Sequence, residues 1–103
     1  MNNFKTIKAV EAKKIMDTTN CKILDVRTDE EFNEMHIDDA ILLPLEKIEA
    51  QVENILKNKD ETILVYCQSG LRSKIACEIM AKKGYTNLLE FGGIKNWPFD
   101  VVL

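Results

Sequence analysis

One cysteine in this chain is placed to do chemistry. In "ILVYCQSGLRSKIA", residues 63–76, an uninterrupted apolar run from Ile63 to Tyr66 stops at Cys67, and a short polar loop follows. Apolar residues without alternation, mostly β-branched or aromatic, predict a strand buried on both faces, and Cys67 stands at its carboxyl end. From Ser73 onward Ile75, Ala76, Ile79 and Met80 recur at helical spacing, so the loop delivers the chain onto a helix N-terminus.

A free thiol, with a pKa of about 8.5, is mostly inert at neutral pH, but a helix N-terminus and converging amides lower that value by several units. This loop can supply both. The N–H groups from Gln68 through Ser73 can curl around the sulfur, and Gly70 permits the positive φ that such a curl needs. Arg72 adds a charge at the rim, able to hold an anion through two hydrogen bonds. Cys67 would then be a nucleophile that needs no histidine base, facing a bowl formed by Gln68, Ser69, Gly70, Leu71, Arg72 and Ser73. The competing reading is a buried cysteine that merely ends a strand before a plain turn.

The elements that must position this loop read as alternating strands and helices. "FKTIKA" predicts a short strand or extended lead, and "VEAKKIMDT" a helix with Ala12, Ile15 and Met16 inward. Lys22 to Val26 predicts a second strand, then a brief helix from Glu30 to Met35 that Thr28 or Asp29 can cap. "AILLP" is a third strand. Pro44 opens a helix from Leu45 to about Leu56, with Leu45, Ile48, Val52, Ile55 and Leu56 as its buried stripe. Thr62 to Tyr66 forms the central strand, Arg72 to Lys83 the next helix with Gly84 at its C-cap, and "TNLLEF" the last strand. The pattern is α/β, a central parallel sheet with helices on both faces, in which ligands bind at the carboxyl ends of the strands. Residues 1–103 are expected to form one domain, with no repeat or linker.

Composition narrows the function. The 103 residues are 46% hydrophobic and 30% charged, an ordinary globular balance with enough apolar material for a core. A net charge of −3 with scattered lysines argues against nucleic acid as a partner. No apolar run approaches the roughly 20 residues of a membrane span, and "MNNFKTIKAV" lacks a signal peptide's apolar core, so a cytoplasmic protein without membrane contact is expected. Three cysteines without a Cys-x-x-Cys pair, and one histidine, fit neither a disulfide framework nor a metal site.

At this point the chain resembles a known family. "CQSGLRS" at residues 67–73 is similar to the active-site loop of the rhodanese homology domain, in the form found in small sulfurtransferases. "LDVRTDEEFNEMHIDDAILLPL" at residues 24–45 resembles the family's Asp-Val-Arg, Glu-Phe, His-Ile, Ala and Pro series, and "FGGIKNW" at 91–97 its Gly-Gly-x-x-x-Trp segment. The resemblance implies a ping-pong sulfurtransferase in which Cys67 takes a sulfane sulfur from thiosulfate or a persulfide and passes it to a thiol or cyanide. It implies no metal and no organic cofactor. Its partners would be a small sulfur donor and a thiol acceptor, with a sulfur-relay protein as one candidate acceptor.

Within the resemblance, loop length separates chemistries. Cys67 through Arg72 is six residues, as in the sulfurtransferases, while the related phosphatases and arsenate reductases carry a longer loop that fits a tetrahedral oxyanion. The alternatives to an enzyme are a rhodanese-like binding or regulatory module and, more distantly, such a phosphatase. Gln68 stands where thiosulfate-specialised members often carry arginine, and Pro98 directly after Trp97 interrupts the usual longer last helix. Asp25, Arg27 and Glu31 are expected to brace loops. His36 is expected in a structural turn rather than as a base for the thiol. Cys77, at the margin of its helix's apolar stripe, is a conceivable resolving thiol, though such cysteines are commonly inert packing; Cys21 has less to recommend it. Trp97 is expected to anchor the C-terminal turn, with Gly92 and Gly93 allowing the tight bend before it.

Overall fold

The computed structural model describes residues 3–103. The strands are β1 (Phe4–Thr6), β2 (Lys22–Asp25), β3 (Ala40–Leu42), β4 (Ile63–Cys67) and β5 (Leu88–Gly93). The helices are α1 (Ala9–Thr18), α2 (Asp29–Glu34), α3 (Leu45–Ile55) and α4 (Leu71–Lys82). The strands form one sheet in the order β1-β5-β4-β2-β3, and every pairing is parallel. β4 lies at the centre with all of its residues buried, which is why its sequence does not alternate.

Each face of the sheet carries its own core. On one, Leu24, Val26, Ile63 and Val65 pack with Ile48, Val52 and Leu56 of the α3 segment and Ala76, Cys77 and Met80 of α4. On the other, Ile23, Leu64 and Tyr66 meet Ala12 of α1 and the aromatic cluster of Phe91 and Trp97. Parallel strands need such covers, because neither sheet face then meets water.

The helix stripes depart from their expected residues in two places. Ile55 and Ile75 are 41% and 40% exposed. In α4 the inward row is Ser73, Ala76, Cys77 and Met80, so a serine holds the position next to the loop and Ile75 turns outward. Cys77, expected at the margin, is fully buried in that row.

The last strand begins two residues later than "TNLLEF" suggested and runs through both glycines. Its pairing with β4 slips between Val65 and Cys67, so that Cys67 faces Gly93. Such an irregularity re-aims the side chain at a strand end. Beyond it the chain makes a single 3-10 turn, Ile94–Asn96, cut short before Pro98. The chain then returns to pair Val102 with His36 in an isolated antiparallel bridge.

Candidate active site

Cys67 is the last residue of β4, and α4 starts at Leu71 behind an N-cap, Gly70, in the left-handed region at φ 109°. That conformation, disfavoured for any residue with a Cβ, turns the Gly70 N–H toward the thiol, and it donates to Cys67 Sγ at 2.9 Å. No side chain caps α4. The sulfur therefore sits at a helix end whose partial positive charge is left to it.

The remaining loop residues divide by position. Ser69 and Leu71 are exposed at the rim, Leu71 by 69%. Gln68 is half-buried and its Oε1 accepts from Arg27 Nη1 at 3.2 Å. Of the expected ring of amides, the Gly70 N–H alone bonds the sulfur among the described residues; Ser73 contributes its hydroxyl, toward which the thiol donates at 3.5 Å. Ser73 is fully buried, behind the sulfur rather than on the open side.

Arg72 does not stand free at the rim. Its Nη1 and Nη2 donate to Glu31 Oε1 and Oε2 at 2.7 and 2.9 Å, a fork-to-fork pair between α4 and α2. Arg72's hydrogen bond, helped by the Thr28 amide and hydroxyl of the capping box, lowers the Glu31 pKa to about 2. An incoming anion meets a guanidinium already engaged.

A second ion pair braces the loop from beneath. Arg27, 2% exposed, lies against fully buried Asp25: Nη2 to Oδ2 is 2.7 Å, and Nε to Oδ1 is 3.0 Å. The same guanidinium donates to Gln68 and to the Met35 carbonyl, so β2, α2 and the cysteine loop share one anchor. Arg27, Glu31, Met35, Gln68 and Ile94 line a cavity of about 270 Å³ beside the loop.

The other candidates are elsewhere. His36 stacks on Phe32 at 3.8 Å, with Nδ1 3.0 Å from the Phe32 carbonyl, and makes no contact with the thiol. Burial, with the Glu90 and Glu78 charges behind it, pushes the Cys77 thiol far up. Cys21 lies half-buried before β2. Trp97 packs on Phe91 and Phe99 and donates its indole N–H to the Asp100 carbonyl at 3.2 Å.

Glu90 goes unread in the sequence, and Gly93 reads there only as part of a bend. Glu90, fully buried on β5, accepts from Ser73 Oγ at 2.8 Å, so it is linked to the sulfur through one hydroxyl. Gly93 lies so close to the loop that a Cβ there would stand 1.9 Å from the Gln68 carbonyl oxygen.

Among the described residues no helix is long and apolar enough to cross a membrane, and no group of three or more His, Cys, Asp or Glu side chains is gathered to hold a metal. A family model described as "Rhodanese-like domain" matches residues 8–98. The chain is 34% identical to the thiosulfate sulfurtransferase PspE of Escherichia coli K12 over 73 residues, 71% of this chain and 70% of that protein. It is 34% identical to a sulfurtransferase of Allochromatium vinosum over 87 residues, 84% of this chain and 79% of that one. Among solved structures, a rhodanese with anions from E. coli superposes with a TM-score of 0.75 at 31% identity, covering 81% of this chain and 98% of that one. With the matched region running from the start of α1 through Trp97 and enclosing the cysteine loop, this chain belongs to the rhodanese-like domain family.

Proposed function

We propose that this protein is a rhodanese-type sulfurtransferase, moving a sulfane sulfur from thiosulfate or a persulfide donor to a thiol or cyanide acceptor through a persulfide on Cys67. The observation that carries the reading is the Gly70 N–H held 2.9 Å from Cys67 Sγ at the uncapped start of α4. A donor in that place steadies negative charge on the sulfur before and after sulfur loading.

In the first half-reaction the Cys67 thiolate attacks the outer sulfur of the donor. The Sγ–S bond forms, the donor's S–S bond breaks, and its electron pair leaves on sulfite or a thiolate. In the second, the acceptor thiolate or cyanide attacks the outer sulfur and Cys67 is restored as the leaving group. Cys67 is 1% exposed, which suits end-on approach by a terminal sulfur atom rather than a bulky centre. Because Arg72 is paired with Glu31, a persulfide donor, which does not need the guanidinium, is as well served as thiosulfate.

Intact-protein mass spectrometry after incubation with thiosulfate or a low-molecular-weight persulfide tests this. A gain of about 32 Da that maps to Cys67, vanishes with cyanide and is absent in Cys67→Ser is expected. Failure of both donors to load sulfur would leave the loop as a binding site only.

A further inference from the structure

The cavity of about 270 Å³ beside the cysteine loop takes its wall from residues that adjoin the reacting position on two strands. Gln68 follows Cys67 in the loop, and Ile94 follows Gly93, which faces Cys67 across the sheet. Much of the remaining wall comes from α2 and its C-cap: Glu31, Glu34 and Met35. Drug-sized sites occupy roughly 300–1,000 Å³, so this space suits a molecule of few heavy atoms. Cys67 is 1% exposed, and a molecule seated here reaches the sulfur only with a narrow end.

The charges lining this cavity do not balance. Arg27 is matched by Asp25, and its guanidinium is further engaged by the Met35 carbonyl and Gln68 Oε1. Glu31 is matched by Arg72. Glu34, the last residue of α2, remains: it is exposed and has no ion pair among the described residues. α2 offers it no partner, since Asp29, Glu30 and Glu31 fill its first turn and its last turn holds no basic residue. Lys95 is the other unpaired charge nearby among the described residues. Its N–H donates to the Gln68 carbonyl at 3.2 Å, but Lys95 does not line the cavity.

We propose that this cavity selects a small aminothiol persulfide, holding the donor's ammonium group against Glu34 while its outer sulfur meets Cys67. The inference rests on Cys67 being the nucleophile proposed above, and names the class of donor that the site prefers. Met35 and Ile94 give apolar surface along which a short carbon stem lies between the two ends. In the transfer the Cys67 thiolate attacks the outer sulfur. The Sγ–S bond forms, the donor's S–S bond breaks, and its electron pair leaves on the inner sulfur as the aminothiol's thiolate. A neighbouring ammonium lowers the pKa of that thiol, and a less basic thiolate leaves faster. Glu34 touches the donor's charged end and none of the reacting atoms, so it sets specificity rather than chemistry.

Thiosulfate fits the same charges less well. Its two negative charges would enter a space whose unmatched lining group is a carboxylate, and Arg72, the cation able to offset them, is held by Glu31. Between partly exposed groups several ångströms apart, such attraction or repulsion changes a rate by about threefold and shrinks as salt is added. The effect is therefore a ranking among donors of different charge, and it is read by varying that charge at constant size.

The test modifies Cys67 with aminoethyl, hydroxyethyl and sulfonatoethyl methanethiosulfonate, reagents of similar size that leave a disulfide on the attacked thiol, with the site mapped by mass spectrometry. The quantity read is the cationic rate over the anionic rate, divided by the same ratio for a small neutral thiol. Wild type should exceed one by about threefold or more. Glu34→Gln, or salt at about 0.5 M, should bring the value near one without changing the hydroxyethyl rate, and Glu34→Asp should keep most of the preference. Cys21 lies outside this cavity, so its own ratio should not respond to Glu34→Gln. A wild-type value of one, a value that Glu34→Gln leaves unchanged, or no modification of Cys67 by any reagent would overturn the proposal. A value below one that rises in Lys95→Gln would overturn it too, assigning the cavity to anions. The readout needs no sulfur transfer. Charge preference in a protein that loads sulfur from no donor would sink the sulfurtransferase reading alone, and loading without the preference would sink this inference alone.

Discussion

Arg72 and Glu31 hold each other through two parallel hydrogen bonds, 2.7 and 2.9 Å long, across 41 residues of chain. The pair ties the start of α4 to α2 and closes one side of the cysteine loop. It also engages Arg72, the one cation of the loop, so that its guanidinium does not stand free at the rim.

Glu31→Gln should therefore release the guanidinium to an anionic donor. The expected result is a several-fold lower KM for thiosulfate with little change for an uncharged persulfide. Both partners are roughly a third exposed, so the stability loss should be about 1 kcal/mol or less. Steady-state kinetics with the two donors checks the first, urea unfolding the second.

The same pair sets an acid limit. Glu31 has its folded pKa lowered to about 2, so its contribution to stability is fully present above its ordinary value of 4.5 and is lost as pH falls through about 2. Guanidinium NMR signals of Arg72 should keep their bonded shifts on acidification to pH values well below those at which exposed carboxylates titrate. Loss of those signals near 4.5, the unfolded value, would mean the clamp is not formed.

Gly93→Ala should disable the loop while leaving the sheet formed. A Cβ there would meet the Gln68 carbonyl oxygen at 1.9 Å and the Ser69 nitrogen at 2.5 Å, both backbone atoms that must move. Overpacking of this kind costs about 1–3 kcal/mol. Because the displaced backbone carries Cys67, a sharp fall in Cys67 alkylation rate and sulfur transfer is expected, beyond what the melting temperature alone explains. Gly92→Ala is the contrast: its added Cβ meets no atom within 4 Å, although its φ of 87° still strains it.

That contrast marks the limit of reading from sequence. Strand and helix order, the buried central strand and the Cys67 loop were legible because they rest on local periodicity and on residues adjacent in the chain. Gly93 was read only as a bend, since the loop it admits lies about two dozen residues earlier. Glu90 gave no signal: a glutamate in a strand reads as a solvent-facing residue, and its partners Thr6 and Ser73 are 84 and 17 residues away. Ile75 was placed inward because apolar residues define the stripe, whereas the fold turns Ser73 in to meet that carboxylate. Tertiary polar contacts overrode the pattern at the one place where the site needed them.

Asp25 and Arg27 should behave as a unit. Removing one partner of a buried pair strands the other charge, at about 3–5 kcal/mol, so Asp25→Leu should unfold at much lower urea concentration than wild type. Adding Arg27→Met should recover a large part of that loss, because no uncompensated charge remains. The double variant still lacks the Gln68 anchor, so its sulfur-transfer rate should stay low even where its stability returns. Denaturant midpoints for the two variants, read beside cyanide-coupled turnover, separate bracing of the fold from bracing of the loop.

Cys77 provides the last test, since proximity in sequence had made it a conceivable resolving thiol. Its side chain is fully buried between α4 and the sheet, and burial together with the Glu90 charge disfavours its thiolate. A thiol that cannot ionise neither attacks nor reduces an oxidised partner. Mild peroxide treatment of the native protein should thus leave Cys77 unmodified and form no Cys67–Cys77 disulfide, while Cys67 advances to the sulfenic acid. Cys77→Ala should keep sulfur transfer within about twofold of wild type and lose about 1–2 kcal/mol of stability from the cavity it leaves. A Cys67–Cys77 bridge found by peptide mapping under native conditions would mean that α4 opens far more readily than its packing implies.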